Sequence, residues 1–353
     1  MRVSTTQFYT QSYSAIQDNQ NAVLKLQEQI ASGKRVNKPS DDPTANTQIN
    51  LLNKTIDSLS QFKKNGNYAS SQLSLEETQL NSTTNLLQRA RELTIQMMNG
   101  TYSSTDRKAT AKEIGQLIDQ MANIMNSKNS QGELLFAGNV VNGSSTTTPP
   151  NTAYIADNNG NTTAGMTSRG NKFYAYIGNA NSNAGTAVDS QANFGSRFVQ
   201  IGFDSDNKLN ANNKGDTSRV RVTDNGASVF NIPGGATSLT GGEEPSLLNV
   251  MVKLKDQLDQ GLAPDSNIAG DLAKGISHIA SVEAEIGGRQ NRISAQSSAG
   301  DTFTIALKQR LSNLQDMNMV QGVTDLNTKQ NALQIAQQVY AKVQGKSLFD
   351  YIK

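Results

Sequence analysis

The sequence predicts a mainly α protein: an elongated antiparallel long-helix bundle or coiled coil formed by the N- and C-terminal halves, with a small β-rich insert and terminal helical arms that are disordered in the monomer. Three observations carry this reading. Apolar residues recur every seventh position in two stretches far apart in the chain, both ends bear a thinner version of the same pattern, and a Gly-rich, aromatic-rich block separates the halves.

The first arm carries Tyr9, Ile16, Val23 and Ile30 at strict sevens and ends at Gly33. Asp42 before Pro43 is an N-cap followed by a proline where a first helical turn tolerates one. From there Leu52, Leu59, Gly66, Leu73, Leu80 and Leu87 keep one phase, with Ile49 and Ile56 on the partner stripe. Phase survives Gly66, so a single helix runs from Pro43 to about Met98, where Asn99 and Gly100 stop it. A shorter amphipathic helix follows from about Thr105 to Asn126, with Ile114, Leu117, Ile118, Met121, Ile124 and Met125 on one face.

Residues 141–246 hold 14 of the 28 glycines and 8 of the 19 Phe and Tyr, so the composition changes class there. Phe173–Ile177, Phe198–Phe203, Arg219–Val222 and Val229–Ile232 read as short strands, and Asp224, Asn225 and Gly226 as the hairpin between the last two. Gly143–Pro150 and Gly241–Pro245 are the entry and exit linkers. The second heptad series then runs Ile279, Ile286, Ile293, Gly300, Leu307 and Leu314, flanked by Val282 and Phe303. After Gly322 the register shifts, and Leu326, Leu333, Ala336, Tyr340 and Val343 form the last arm's stripe. The resulting division is arms 1–42 and 316–353, a helical rod 43–140 and 247–315, and an outer insert 141–246.

Two apolar residues per heptad suit one partner helix and are too few to face a globular core. The arms are therefore marginal alone. The residues themselves leave open whether they pair with each other or with other copies.

Composition removes several function classes. There are 32 Lys and Arg against 30 Asp and Glu, interspersed, so no basic field attracts nucleic acid or acidic lipid. No cysteine exists to form a disulfide, a thiolate metal site or a nucleophile, and the single His278 is too few for a polyhistidine zinc site. Met1–Gln20 lacks the apolar block of a cleavable secretory signal, and no run reaches the ~20 apolar residues of a membrane span.

Chemical motifs also fall short. Gly345, Lys346 and Ser347 resemble the end of a phosphate loop, but Tyr340 stands where its first glycine belongs. Asp204 and Asp206 start like a calcium loop until Lys208 takes the third ligand position. Glu76–Glu77 and Glu243–Glu244 are adjacent, and neighbours on a helix do not converge on one atom. Met97, Met98, Met121 and Met125 are at helical spacing and read as seam fillers. No catalytic, cofactor or metal residue is nominated. A rival reading has the insert presenting Tyr154, Tyr174, Tyr176 and Phe194 to a glycan or host surface, with the rod as a stalk.

Three stretches together resemble the bacterial flagellin family. MRVSTT at Met1–Thr6 with ASGKRVNKPSDDP at Ala31–Pro43 is similar to that family's N-terminal signature; RARELTIQMMNG at Arg89–Gly100 and GELLFAG at Gly132–Gly138 to its central helical part; and LQDMNMVQGVTDLNTKQNAL at Leu314–Leu333 with SLFDYI at Ser347–Ile352 to its C-terminal signature. The opening and closing words favour a member at the joint between hook and filament over a filament subunit. The resemblance implies a secreted, extracellular structural part of the flagellum, exported unfolded through a type III channel without cleavage. It further implies as partners other copies, the adjoining hook-side junction protein, filament flagellin and a cytoplasmic export chaperone that shields the C-terminal arm.

Overall fold

The computed structural model describes residues 2–138, 152–156, 166, 169–176, 197–203, 218–239 and 243–344. In order these form α1 (Arg2–Ser32), α2 (Pro43–Met98), α3 (Ser104–Met125), β1 (Tyr154–Ala156), β2 (Tyr174–Tyr176), β3 (Phe198–Gln200), β4 (Arg219–Arg221), α4 (Gly226–Phe230), α5 (Leu247–Asp259), α6 (Ser266–Gln315) and α7 (Met319–Gln344). The protein is mainly helical, with two small antiparallel ribbons, β1–β2 and β3–β4. It divides into two compact units, Met1–Ser60 with Asp301–Lys353, and Gln61–Gly300.

In the first unit α1 and α7 pack together and run antiparallel. The Tyr9 and Tyr340 rings meet edge to face at 6.3 Å. Toward the other end of the pair a Cβ on Gly322 would lie 3.5 Å from Ile30. Helix α1 stops because Gly33 takes a left-handed φ of 69°, its N–H donating to Ile30 O. Helix α2 starts as the sequence indicates: Asp42 Oδ1 accepts from Ala45 N–H at 2.9 Å, ahead of Pro43.

Between those helices the chain is sewn to the end of α6. Arg35 N–H donates to Gln315 O (2.7 Å) and Met317 N–H to Gly33 O (2.9 Å), and Lys34 and Asp316 form an antiparallel bridge. The Arg35 guanidinium also donates to Leu314 O (2.9 Å), so carbonyls that a helix end leaves orphaned find partners. Val36, Ala45 and Ile49 are buried beneath this joint with Leu311 and Leu314 packed on them.

In the second unit α2, α3, α5 and α6 enclose one core. Leu73, Leu80 and Leu87 from α2 join Ile114, Met121 and Met125 from α3, Leu247 and Leu254 from α5, and Ile279 and Ile286 from α6. Gly66 keeps the phase of α2 because α6 passes close: a Cβ there would sit 3.3 Å from Ile293 Cγ2. Gln290 Nε2 donates to Glu77 at 3.0 Å, so the two helices run in opposite directions. Helix α3 opens with a capping box, Ser103 Oγ accepting from Asp106 N–H and Asp106 Oδ2 from Ser103 N–H.

Three expectations need correction. Val229–Ile232 is not a strand following a hairpin: Asn225 Oδ1 accepts from Ala227 N–H (2.8 Å), capping the short helix α4, while Arg219–Arg221 pairs back with β3. An Asx cap and a hairpin turn use the same residue types, and here Gly226 N–H is claimed by Phe136 O at 2.9 Å. Phe303 does not flank the seam but is exposed. Tyr154 and Tyr176 of the insert are engaged within the protein, and Tyr174 is half-buried. Tyr154 is buried, its ring 4.9 Å from Tyr176 and 6.1 Å from Phe230, and Tyr176 Oη donates to Phe136 O at 2.9 Å. Phe194, Asp204, Asp206, Lys208, the entry linker 143–150 and the 345–347 phosphate-loop resemblance lie outside the described residues.

Candidate assembly surface

Polar bonds fix where the arms join the rest of the first unit. Lys25 Nζ on α1 lies 2.9 Å from Asp41 Oδ1, whose other oxygen accepts from the N–H groups of Asn37 and Lys38. The Lys25 bond first, then the Lys38 amide, pull the Asp41 carboxyl down to about 2. Lys38 pairs with Glu28 at 2.9 Å, and Gln29 Nε2 donates to Arg35 O. The last turns of α1 are thus tied to the loop that follows them.

Along the arms burial is thin. Of the N-terminal seam, Val23 is buried and Tyr9, Ile16 and Ile30 are half-buried. Of the C-terminal seam, Leu326, Leu333, Ala336 and Tyr340 are only half-buried, and the side chain of Val343 lies outside the described residues. Among the described residues α7 contributes no buried apolar side chain at all.

Helix α7 has a second apolar side that the heptad reading missed. Val320 is 79% exposed, Ile335 60%, and Val323 and Val339 are exposed too. At about 100° per residue these four cluster opposite Leu326, Leu333 and Tyr340. Tyr13 and Leu24 are exposed along the flank of α1. In the sequence Val320, Val323, Ile335 and Val339 share a side once the stripe of sevens is set aside, but the stripe opposite masks them in any one-sided pattern.

The rod-seam residues have a different fate. Leu73, Leu80, Leu87, Ile279, Ile286 and Ile293 come together in the core of the second unit. Leu52, Leu59 and Leu307 are buried, and Leu314 is half-buried against the small cluster below the joint. Met97, Met121 and Met125 are buried, whereas Met98 faces solvent. His278 Nε2 lies 2.8 Å from Ser228 O, a bond between α6 and the end of the inserted segment. Among the described residues no group of three acidic, His or Cys side chains is arranged to hold a metal, and no helix is long and apolar enough to cross a membrane.

Comparison with known proteins bears on this geometry. Residues 3–141 match the bacterial flagellin N-terminal helical region and residues 271–352 the bacterial flagellin C-terminal helical region, together more than half of the chain. Flagellar hook-associated protein 3 of Escherichia coli strain K12 is 28% identical over 360 residues, covering 100% of both chains. A flagellin of Listeria monocytogenes is 30% identical over 129 residues, which cover 36% of this chain and 45% of that one. The crystal structure of hook-associated protein 3 from Legionella pneumophila superposes with a TM-score of 0.54 at 18% identity, over 75% of this chain and 98% of that one, a likeness of fold. Helical ends that match at both termini, around a middle that neither family region spans, assign the chain to the bacterial flagellin family.

Proposed function

We propose that this protein is the structural junction between hook and filament of a bacterial flagellum, working outside the cell and catalysing nothing. The observation that carries the proposal is α7, a 26-residue helix with apolar side chains on two opposite sides and, among the described residues, none of them buried. One side meets α1. The other has no cover within the described chain, and ~25 cal/mol per Å² of apolar surface favours covering it. Other copies of the chain, the hook-side junction protein and filament flagellin are the partners proposed to do so, and a cytoplasmic export chaperone is proposed to shield the same surface before secretion.

On this reading the arms gain most of their order on assembly. Ordering costs ~1–2 kcal/mol per backbone residue, so several neighbours must contribute burial together. The relative that matches end to end is named as a hook-associated protein, while the flagellin matches about a third of the chain, which favours junction over filament subunit. The test is the double substitution Ile335→Asp with Val339→Asp. Hooks bearing this variant are expected to lack filaments although the purified protein melts as the parent does. Normal filaments on such hooks would refute the assignment of this surface.

A further inference from the structure

One acid buried in the second unit stands apart from the core's apolar side chains. Glu76 on α2 has no exposed surface. Its Oε1 accepts from Asp224 N–H at 3.1 Å, and its Oε2 is enclosed without a hydrogen-bond partner. The cations nearby are already engaged. Arg289 of α6 holds Asp224 Oδ2 at 2.6 Å, and Arg221 of β4 holds Asp224 Oδ1 at 2.8 Å and Glu285 of α6 at 3.1 Å. Glu77, next along α2, turns to Gln290, and half-buried Glu283 is raised by desolvation and then by Glu77, apart from the Asp224 cluster.

Asp224 belongs to a segment that fastens the insert. Thr223 Oγ1 donates to Gly138 O (2.8 Å), Gly138 N–H to Asp224 O (3.3 Å), and Gly226 N–H to Phe136 O (2.9 Å). An ionised Glu76 would sit without a cation of its own against a second buried carboxylate, which is unfavourable. A neutral acid keeps the bond from Asp224 N–H without that penalty.

We propose that Glu76 is a proton-held latch: as a neutral acid it fastens residues 222–226 to α2, and loss of its proton loosens that segment from α2 and α6. Burial first, then the Asp224 charge, hold the Glu76 carboxyl well above the usual glutamate range, and the Asp224 amide with Arg289 and Arg221 only partly offset them. The folded form therefore binds a proton that the unfolded chain releases near pH 4.3. The latch's stabilisation is complete below that pH and is lost as pH rises through the folded value.

The experiment is a thermal melt of the full chain and of Glu76→Gln between about pH 6 and pH 9. The parent's midpoint is expected to fall across this range, while that of E76Q stays nearly level and lies above the parent at the alkaline end. Parallel curves would overturn the latch. Should E76Q not fold, carbon-13 NMR of glutamate-labelled parent protein titrates the carboxyl directly, assigned by its contact to the Asp224 amide. A Glu76 carboxyl that titrates above the ordinary glutamate value near pH 4.3 is expected; one that titrates at or below that value refutes the proposal.

Discussion

Of the 47 buried apolar residues described, 40 belong to Gln61–Gly300 and seven to the unit made by Met1–Ser60 and Asp301–Lys353, which holds about a third of the chain. Of the 15 large apolar side chains that are exposed among the described residues, ten belong to that smaller unit. The pattern is reversed between the two. A unit that hides nearly everything it has is stable by its own contacts; one that leaves more of its large apolar groups exposed than buried awaits contacts from elsewhere. The same heptad spacing runs through both. What differs is how many sides of each helix find a neighbour within the chain.

The comparison breaks most visibly at Leu80, which is wholly buried in the second unit. Leu80→Ala is expected to cost ~3 kcal/mol in denaturant unfolding, whereas truncations on the outer side of α7 leave that transition in place. An L80A variant as stable as the parent would mean the core is not what holds the larger unit. Next in size is protection: limited proteolysis of the monomer is expected to trim both arms and leave a fragment near residues 43–315. Arms that resist as long as this fragment would show that α1 and α7 are already secure without partners.

Acid sharpens the contrast by a smaller amount. Burial raises Asp256, but bonds from Arg169 (2.8 Å) and Asn171 (3.0 Å) outweigh it and leave the carboxyl below its usual range. Asp271 is likewise raised by burial and brought below by Ser238 and Thr237. Depressed groups stabilise above the unfolded value near pH 4 and lose that contribution as pH falls through the folded value. The larger unit is therefore expected to weaken from about pH 5 downward, with Asp271→Asn flattening the slope; an unchanged slope in D271N would remove Asp271 from the account. The smallest effect is the cap of α2: Asp42→Ala is expected to cost ~1 kcal/mol, read as a small downward shift of the melt of the first unit.

Much of this architecture was legible in the sequence where one periodicity dominated. The ends of α2 at Pro43 and Met98, and its phase across Gly66, follow from spacing and caps alone. Legibility failed where the deciding contact is distant in sequence. Asn225 as a helix cap depends on Phe136 taking the Gly226 amide, and the burial of Tyr154 depends on Phe230 and Tyr176 arriving beside it. Glu76 read only as an acid adjacent to Glu77 because nothing local announces Asp224, 148 residues further along. At the assembly surface the inner seam was visible as a repeat, but the outer side of α7 was hidden because two opposed apolar lines cancel any one-sided pattern.

The joint at Gly33–Val36 and Leu314–Met317 ties the fates of the two termini. Helix α1 finds its packing partner in α7, and the turn that aims α1 is bonded to the backbone that aims α7. Shortening the chain at either end thereby strips the opposite end of its mate, so an event at one terminus is felt some three hundred residues away in sequence, as if the two ends were a single organ.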